Sequence, residues 1–207
     1  MALKLKGSTS GFTAIDAPAV AGDNTLVLPA DNGSASQYLQ TNGSGVLSWA
    51  TVATPTVAFE SYAVICDQKP QGTVAGAFTS GDWRTRDLNT EIFDPDGIVS
   101  ISNNQFTLGA GNYYIEWSCP AYAVNRHQSR LQDITGTATI VNGTSEYTNQ
   151  TYAGFTRSFG FARVSITSNN VYEIQHQAQT TKVTNGLGSE ANFTVEIYTV
   201  VKIFKEA

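Results

Sequence analysis

Charge is scarce in this chain. Lys, Arg, Asp and Glu make up 14% of 207 residues, where roughly a quarter is usual. Acidic groups outnumber basic ones, for a formal net charge of -5. A surface of that sign does not grip nucleic-acid phosphates, so no nucleic-acid partner is expected. Cysteine and histidine occur twice each and methionine once. Cys66 and Cys119 are too few for a disulfide framework and match no metal-binding spacing. Both are expected as buried thiols, with a bridge between them as the lesser alternative. No apolar run approaches the roughly 20 residues that cross a bilayer, and no membrane insertion is expected. After Met1 the run Ala-Leu-Lys-Leu-Lys-Gly lacks the apolar centre of a signal peptide, which points to folding in a cytoplasm. The five Asn-x-Ser/Thr sequons, beginning at Asn32, Asn42, Asn142, Asn149 and Asn192, then read as chance in an Asn- and Thr-rich chain.

Signatures of catalysis are equally sparse. Gly7-Ser8-Thr9-Ser10-Gly11 superficially resembles a nucleophile elbow, but its central residue is Thr9 and no strand-to-helix turn follows. His127 is expected in a loop. His176 alternates with Tyr172, Ile174 and Ala178, which places it on the apolar face of a strand. Neither has a metal-ligating neighbour at a recognised spacing. Asp94-Pro95-Asp96-Gly97 begins like a calcium loop but lacks the later ligands, and turn chemistry explains it better. Glu91, Asp94 and Asp96 could be paired as glycosidase carboxylates only if the fold fixed their separation. The expectation is a protein without catalytic residues, cofactor or metal.

What is abundant is strand and turn material. Hydrophobic residues reach 41%, with nine Tyr, ten Phe and 18 Gly. β-branched and aromatic side chains fit a pleated surface, and no window sustains a helical period. From residue 57 onward, strands are expected over 57–66, 97–101, 105–108, 112–119, 129–135, 138–141, 158–167, 171–180 and 192–204. Turns are expected at Asn103-Asn104, Gly109-Ala110-Gly111, Asn142-Gly143, Ser168-Asn169-Asn170 and Asn185-Gly186. Short strands at this spacing indicate an all-β antiparallel sandwich or barrel. Residues 1–52 are different: short alternating pieces broken by Gly and Pro, too small to bury a core alone. They read as an irregular β-rich stem or anchor, joined by a linker at 53–56 to a head at 57–207.

The stem segment resembles a module found in tail-fibre and other virion proteins of phages, often phages of marine cyanobacteria. The resemblance lies in Gly7-Ser8-Thr9-Ser10-Gly11, in Asn24-Thr25-Leu26-Val27-Leu28-Pro29, and in the run from Gln37 to Trp49. It covers about a quarter of the chain and implies a virion structural protein assembled in a bacterial host. A single copy beginning at Met1 implies a very short fibre. Leu3, Leu5, Phe12 and Ile15 are its candidate particle anchor. The head resembles the jelly roll of the complement globular-head and tumour-necrosis-factor superfamily. That likeness runs through Val57-Ala58-Phe59, Phe106 to Ile115, Val164-Ser165-Ile166 and Val171 to Ile174, and departs from the family at Asn192 to Glu196. It implies a homotrimer.

The last strand supplies a physical counterpart. Phe193, Val195, Ile197, Val201 and Ile203 alternate onto one face, while Tyr198, Val200 and Phe204 make the other face apolar as well. A trimer interface is therefore expected at Phe59, Tyr62, Tyr198, Val200 and Phe204, with loops covering that face as the alternative. Trp83, between Asp82 and Arg84, is expected to cap the core. The stretch from Asn142 to Thr156 is expected as a long polar loop, with Tyr147, Tyr152, Phe155 and Arg157 as a surface for a host glycan. Taken together, these expectations describe a short trimeric fibre whose head contacts a host surface. A capsid decoration protein is the alternative, and a tailspike glycan hydrolase the more distant one.

Overall fold

The computed structural model describes residues 3–20, 22–53 and 58–207. The chain divides into two compact units, Met1–Pro55 and Thr56–Ala207. Most of the expected linker, and the start of the expected first head strand at Val57, lie outside the described residues.

Two hairpins build the N-terminal unit. Strands β1 (Leu3–Lys6) and β2 (Phe12–Ile15) pair antiparallel across the Gly7–Gly11 turn. Leu3 stands opposite Ile15, so Leu3, Leu5 and Ile15 share one face, while Phe12 lies on the other beneath the Lys4 ammonium. All four proposed anchor residues are exposed. Strands β3 (Gln37–Thr41) and β4 (Leu47–Thr51) form the second hairpin, and Val27 adds a parallel bridge to Val46. Here Trp49 lies flat on Gly33 and donates its indole N–H to the Asp31 carbonyl at 3.0 Å. Gly33 has φ of 67° and a Cβ there would sit 2.6 Å from the indole, so only glycine fits. No described residue of this unit is fully buried.

The second unit is an antiparallel jelly-roll sandwich of eleven described strands. They are β5 (Phe59–Lys69), β6 (Arg84–Thr85), β7 (Thr90–Phe93), β8 (Val99–Ser102), β9 (Gln105–Leu108), β10 (Gly111–Tyr122), β11 (Asn125–Asp133), β12 (Ala138–Thr148), β13 (Phe155–Ile166), β14 (Asn170–Ala178) and β15 (Glu196–Glu206). One sheet runs β13-β10-β15-β5-β7; the other runs β12-β11-β14-β9-β8, with β6 added on β14. The chain crosses between the sheets at every step from β5 to β15 except β8 to β9 and β11 to β12. Inward residues of both sheets meet in one core: Ile65, Phe106, Leu108, Ile115, Trp117, Leu131, Ile174, Val201 and Ile203. Each such side chain contributes about 1.5–3 kcal/mol on burial.

The turn at Asn103-Asn104 forms as expected between β8 and β9, with both residues at positive φ, the signature of a type I′ hairpin. Asn142-Gly143 does not turn. It lies inside β12 at a bulge opposite β11. Gly143 is there because a Cβ would come within 2.6 Å of the Ser129 hydroxyl and the Phe159 carbonyl. The expected loop from Asn142 to Thr156 is therefore mostly strand, reduced to the turn at 149–154. β6 and β7 are too short to announce themselves in the sequence and exist by pairing with β14 and β5.

The sheets are cross-linked by a polar chain at the β12–β13 edge. Trp117 Nε1 donates to Ser129 Oγ at 2.8 Å, Ser129 and Ser158 share a hydrogen bond at 2.8 Å, and Ser158 donates to the Thr144 carbonyl at 2.8 Å. Gly160 makes room for this tryptophan: a Cβ there would stand 2.0 Å from Trp117 Cζ2. Gly160→Ala is expected to destabilise the sandwich by about 2 kcal/mol through overpacking. The measurement is the urea midpoint of unfolding. A shift below about 0.5 kcal/mol would mean that the ring moves aside freely.

Candidate functional site

The outer faces of the two sheets are chemically different. On the six-stranded sheet, outward positions of β11 and β14 carry Arg126, Gln128, Arg130, Gln132, Glu173, Gln175 and Gln177. On the five-stranded sheet they carry aromatic rings. Phe204 of β15 lies 5.2 Å from Phe59, 6.3 Å from Tyr62 and 6.4 Å from Tyr114; Tyr62 stacks on Phe93 at 4.6 Å. Across the same face β13 presents Phe159 and Phe161, the latter 67% exposed. Between the two aromatic patches runs the pair Lys202–Glu116 at 3.5 Å. A cavity of about 270 Å³ opens there, lined by Glu116, Phe159, Phe161, Val200 and Lys202.

Four of the five expected interface residues, Phe59, Tyr62, Val200 and Phe204, therefore lie on one outer face. Tyr198 is a correction. β15 begins at Glu196 and carries a bulge between Ile197 and Val200, so the alternation counted from the C-terminus slips by one. Tyr198 turns inward, is 3% exposed, and donates its hydroxyl to the Thr73 carbonyl at 2.7 Å. Phe193, Val195 and Ile197, expected inside, are exposed, and the first two precede the strand.

The expected glycan surface is not assembled as drawn. Tyr147 pairs with Arg126 at the outer face of the six-stranded sheet. Phe155 lies at the far end of the five-stranded sheet near Tyr122, 6.5 Å between rings. Tyr152 sits in the turn between them. Arg157 is spent on structure, donating to Ser118 Oγ at 2.9 Å and to the Tyr198 carbonyl. Trp83 does not cap the core; its ring lies under the Arg130 guanidinium, 4.3 Å from the centroid, on the polar outer face.

Where sequence spacing showed no constellation, the fold builds one. His127 lies in β11, not in a loop, and its Nδ1 is 2.9 Å from His176 Nε2 while its Nε2 meets Thr156 Oγ1 at 2.8 Å. His176 Nδ1 has no hydrogen-bond partner among the described residues. Beside them Arg86 is fully buried, donating to Thr199 Oγ1 at 2.9 Å, the Leu187 carbonyl at 2.8 Å and the Pro120 carbonyl at 3.3 Å. Burial first, and then the Arg86 charge, push His127 down to about 4 and His176 well below the ordinary imidazole range. Both imidazoles are buried and favour the neutral form, which suits packing between the sheets.

Cys66 and Cys119 are free and buried, and burial pushes each thiol up to about 11. They stand on β5 and β10, with β15 between them. Two strand spacings are about 9–10 Å, beyond the roughly 4.4–6.8 Å that a bridge spans. Asp94 accepts the Ile98 and Val99 N–H groups, one on each carboxylate oxygen, at 2.9 and 3.0 Å, and Asp96 accepts the Ser61 hydroxyl at 2.6 Å. The turn reading of Asp94-Pro95-Asp96-Gly97 is thus satisfied by the chain itself. Among the described residues no group of three His, Cys, Asp or Glu is placed to hold a metal ion.

No protein-family profile and no curated protein matches the chain. Solved structures do. The globular domain of zebrafish complement 1qA protein is 14% identical and matches over 70% of this chain and 96% of its own, with a TM-score of 0.46. Murine APRIL is 7% identical over 70% and 98%, at 0.47. Eiger TNF from S. frugiperda is 12% identical over 72% and 94%, at 0.48. The strand order and register described above define the sandwich independently of these likenesses.

The histidine pair makes stability pH-dependent. Folded-state values below the unfolded one mean that the unfolded chain binds protons more readily as pH falls. This contribution is whole above about pH 6.5 and is lost towards pH 4, and the His127 shift alone corresponds to about 3 kcal/mol. The unfolding midpoint is expected to fall between about pH 7 and 5, with a shallower slope in His127→Gln. Equal slopes would assign the acid sensitivity to carboxylates.

Proposed function

We propose that this chain is a non-enzymatic structural protein of a phage particle, a short homotrimeric fibre whose head contacts a host surface. The observation that carries the assembly is the aromatic outer face of the five-stranded sheet. Its six most exposed rings, each of roughly 200 Å², leave on the order of 600 Å² of apolar surface. Divided between two patches, that is comparable with the largest patch of a typical soluble monomer, which is often functional.

The arrangement suits contact between copies of this chain. The patch around Phe204 and the patch of Phe159 and Phe161 differ and lie on opposite sides of the Lys202–Glu116 pair. Each patch can meet the other on a neighbouring copy, in a closed ring or across a two-fold axis. The choice of three copies rests on the resemblance of the head sequence given above. The charged pair at the centre sets the register, since a slipped partner would bury Lys202 or Glu116 unpaired.

The virion assignment rests on the likeness of residues 7–49 to phage fibre modules. It is supported by a unit that leaves Leu3, Leu5, Phe12 and Ile15 exposed, as an anchor awaiting a partner would. A non-enzymatic role is supported by the enclosure of both histidines and both cysteines. The alternative within the same class is a capsid decoration trimer, which differs in address and not in construction.

Sedimentation of the intact chain is expected to give three times the 22.2 kDa protomer mass. Phe204→Glu and Phe161→Glu should each yield a folded monomer, because either patch is needed for closure. A monomeric wild type, or trimers that survive both substitutions, would overturn the interface. Imaging of virions at a resolution that places the chain then separates the addresses: projection from the tail supports a fibre, and a position on the capsid lattice supports decoration.

A further inference from the structure

The polar outer face of the six-stranded sheet has two halves that use their hydrogen bonds differently. In the half towards β8 and β9 the groups satisfy one another. Arg130 donates to Gln175 Oε1 at 2.7 Å and to Thr139 Oγ1 at 2.9 Å, and Thr139 donates to Gln132 Oε1 at 3.0 Å. Glu173 accepts from Thr85 at 3.1 Å and from Gln105 at 3.0 Å. Trp83 closes this half beneath Arg130.

At Gln128, whose amide donates to the Gly143 carbonyl at 2.9 Å, the knitting ends. Beyond it lie the side chains of Arg126, Ser145, Tyr147, Gln177 and Gln179, which make no hydrogen bond or ion pair among the described residues. Together with Gln128 they line a cavity of about 600 Å³, within the roughly 300–1,000 Å³ of ligand sites. Arg126 stands directly across from Tyr147, and Gln128 across from both Ser145 and Gln177. β-pairing fixes where Arg126, Gln128, Ser145, Tyr147 and Gln177 stand, so a ligand would have to order only their side chains.

We infer that this groove binds a neutral saccharide. The half-exposed Tyr147 ring offers a face for the apolar side of a sugar ring. The amides of Gln177 and Gln179 both donate and accept, as sugar hydroxyls do, and Arg126 and Ser145 add further donors. Among the described residues Arg126 and Glu146 are the only charged ones that line the groove, for no net charge, which favours a neutral ligand over an anion. The inference deepens the attachment reading above and rests on it for the source of the glycan: three such grooves per trimer would convert weak single-site binding into firm adhesion.

The test is saturation-transfer NMR on the full chain with four neutral trisaccharides: α-linked glucose, β-linked glucose, mannose and galactose. At least one is expected to receive saturation with a dissociation constant of about 1 mM. Tyr147→Ala and Gln177→Ala should each weaken it roughly tenfold with the unfolding transition unmoved. No transfer to any of the four at about 10 mM, or transfer undiminished in either variant, would overturn the groove. Sedimentation of the same samples separates this from the assembly proposal. A monomer that binds sugar keeps the groove and loses the trimer; a trimer that binds none does the reverse.

Discussion

A guanidinium buried between two sheets organises much of this sandwich. Arg86 has its backbone N–H on the Ile174 carbonyl of one sheet and its side chain on Thr199 and Pro120 of the other, with Leu187 completing the set. Among the described residues no carboxylate hydrogen-bonds it, so oriented carbonyls and a hydroxyl replace the lost water. That requirement fixes geometry at a distance. Thr199 must face inward, which the bulge in β15 achieves, and the same bulge turns Tyr198 into the core and Val200 out of it. Burial, and after it this positive charge, hold the neighbouring His127 and His176 below the ordinary imidazole range.

The two outer faces then acquire different tasks from one construction rule. Outward residues of β10, β13, β15 and β5 supply rings, while those of β11 and β14 supply amides and guanidinium groups. In the proposed arrangement the aromatic face with its central ion pair meets another copy, since its apolar area is fully used only when covered. The polar face, with its bonds closed at one end and open at the other, takes the saccharide. Assembly and binding would then fall on opposite sides of the head, and neither need disturb the other.

Much of the architecture was legible from residues alone. Alternation located nine of the eleven head strands, and Asn103-Asn104 identified a hairpin correctly because type I′ turns demand residues that tolerate positive φ. Asn142-Gly143 misled because the same dipeptide also serves a bulge, where the glycine answers crowding from Ser129 and Phe159. That Phe59, Tyr62, Val200 and Phe204 share an apolar outer face was legible because a strand apolar on both faces presents one set of side chains away from the core. Tyr198 was misassigned because a single inserted residue inverts a period of two.

The sequence by itself determined the fold class and the excess of apolar residues on the last strand. These depend on local propensity and spacing, which each residue carries with it. Only the tertiary structure decided that His127 meets His176, that Arg157 is spent on Ser118 and Tyr198, and that Arg126, Tyr147 and Gln177 share a groove. The first pair is 49 residues apart in sequence. Such contacts are set by register and strand order, and those follow from the packing of the whole core.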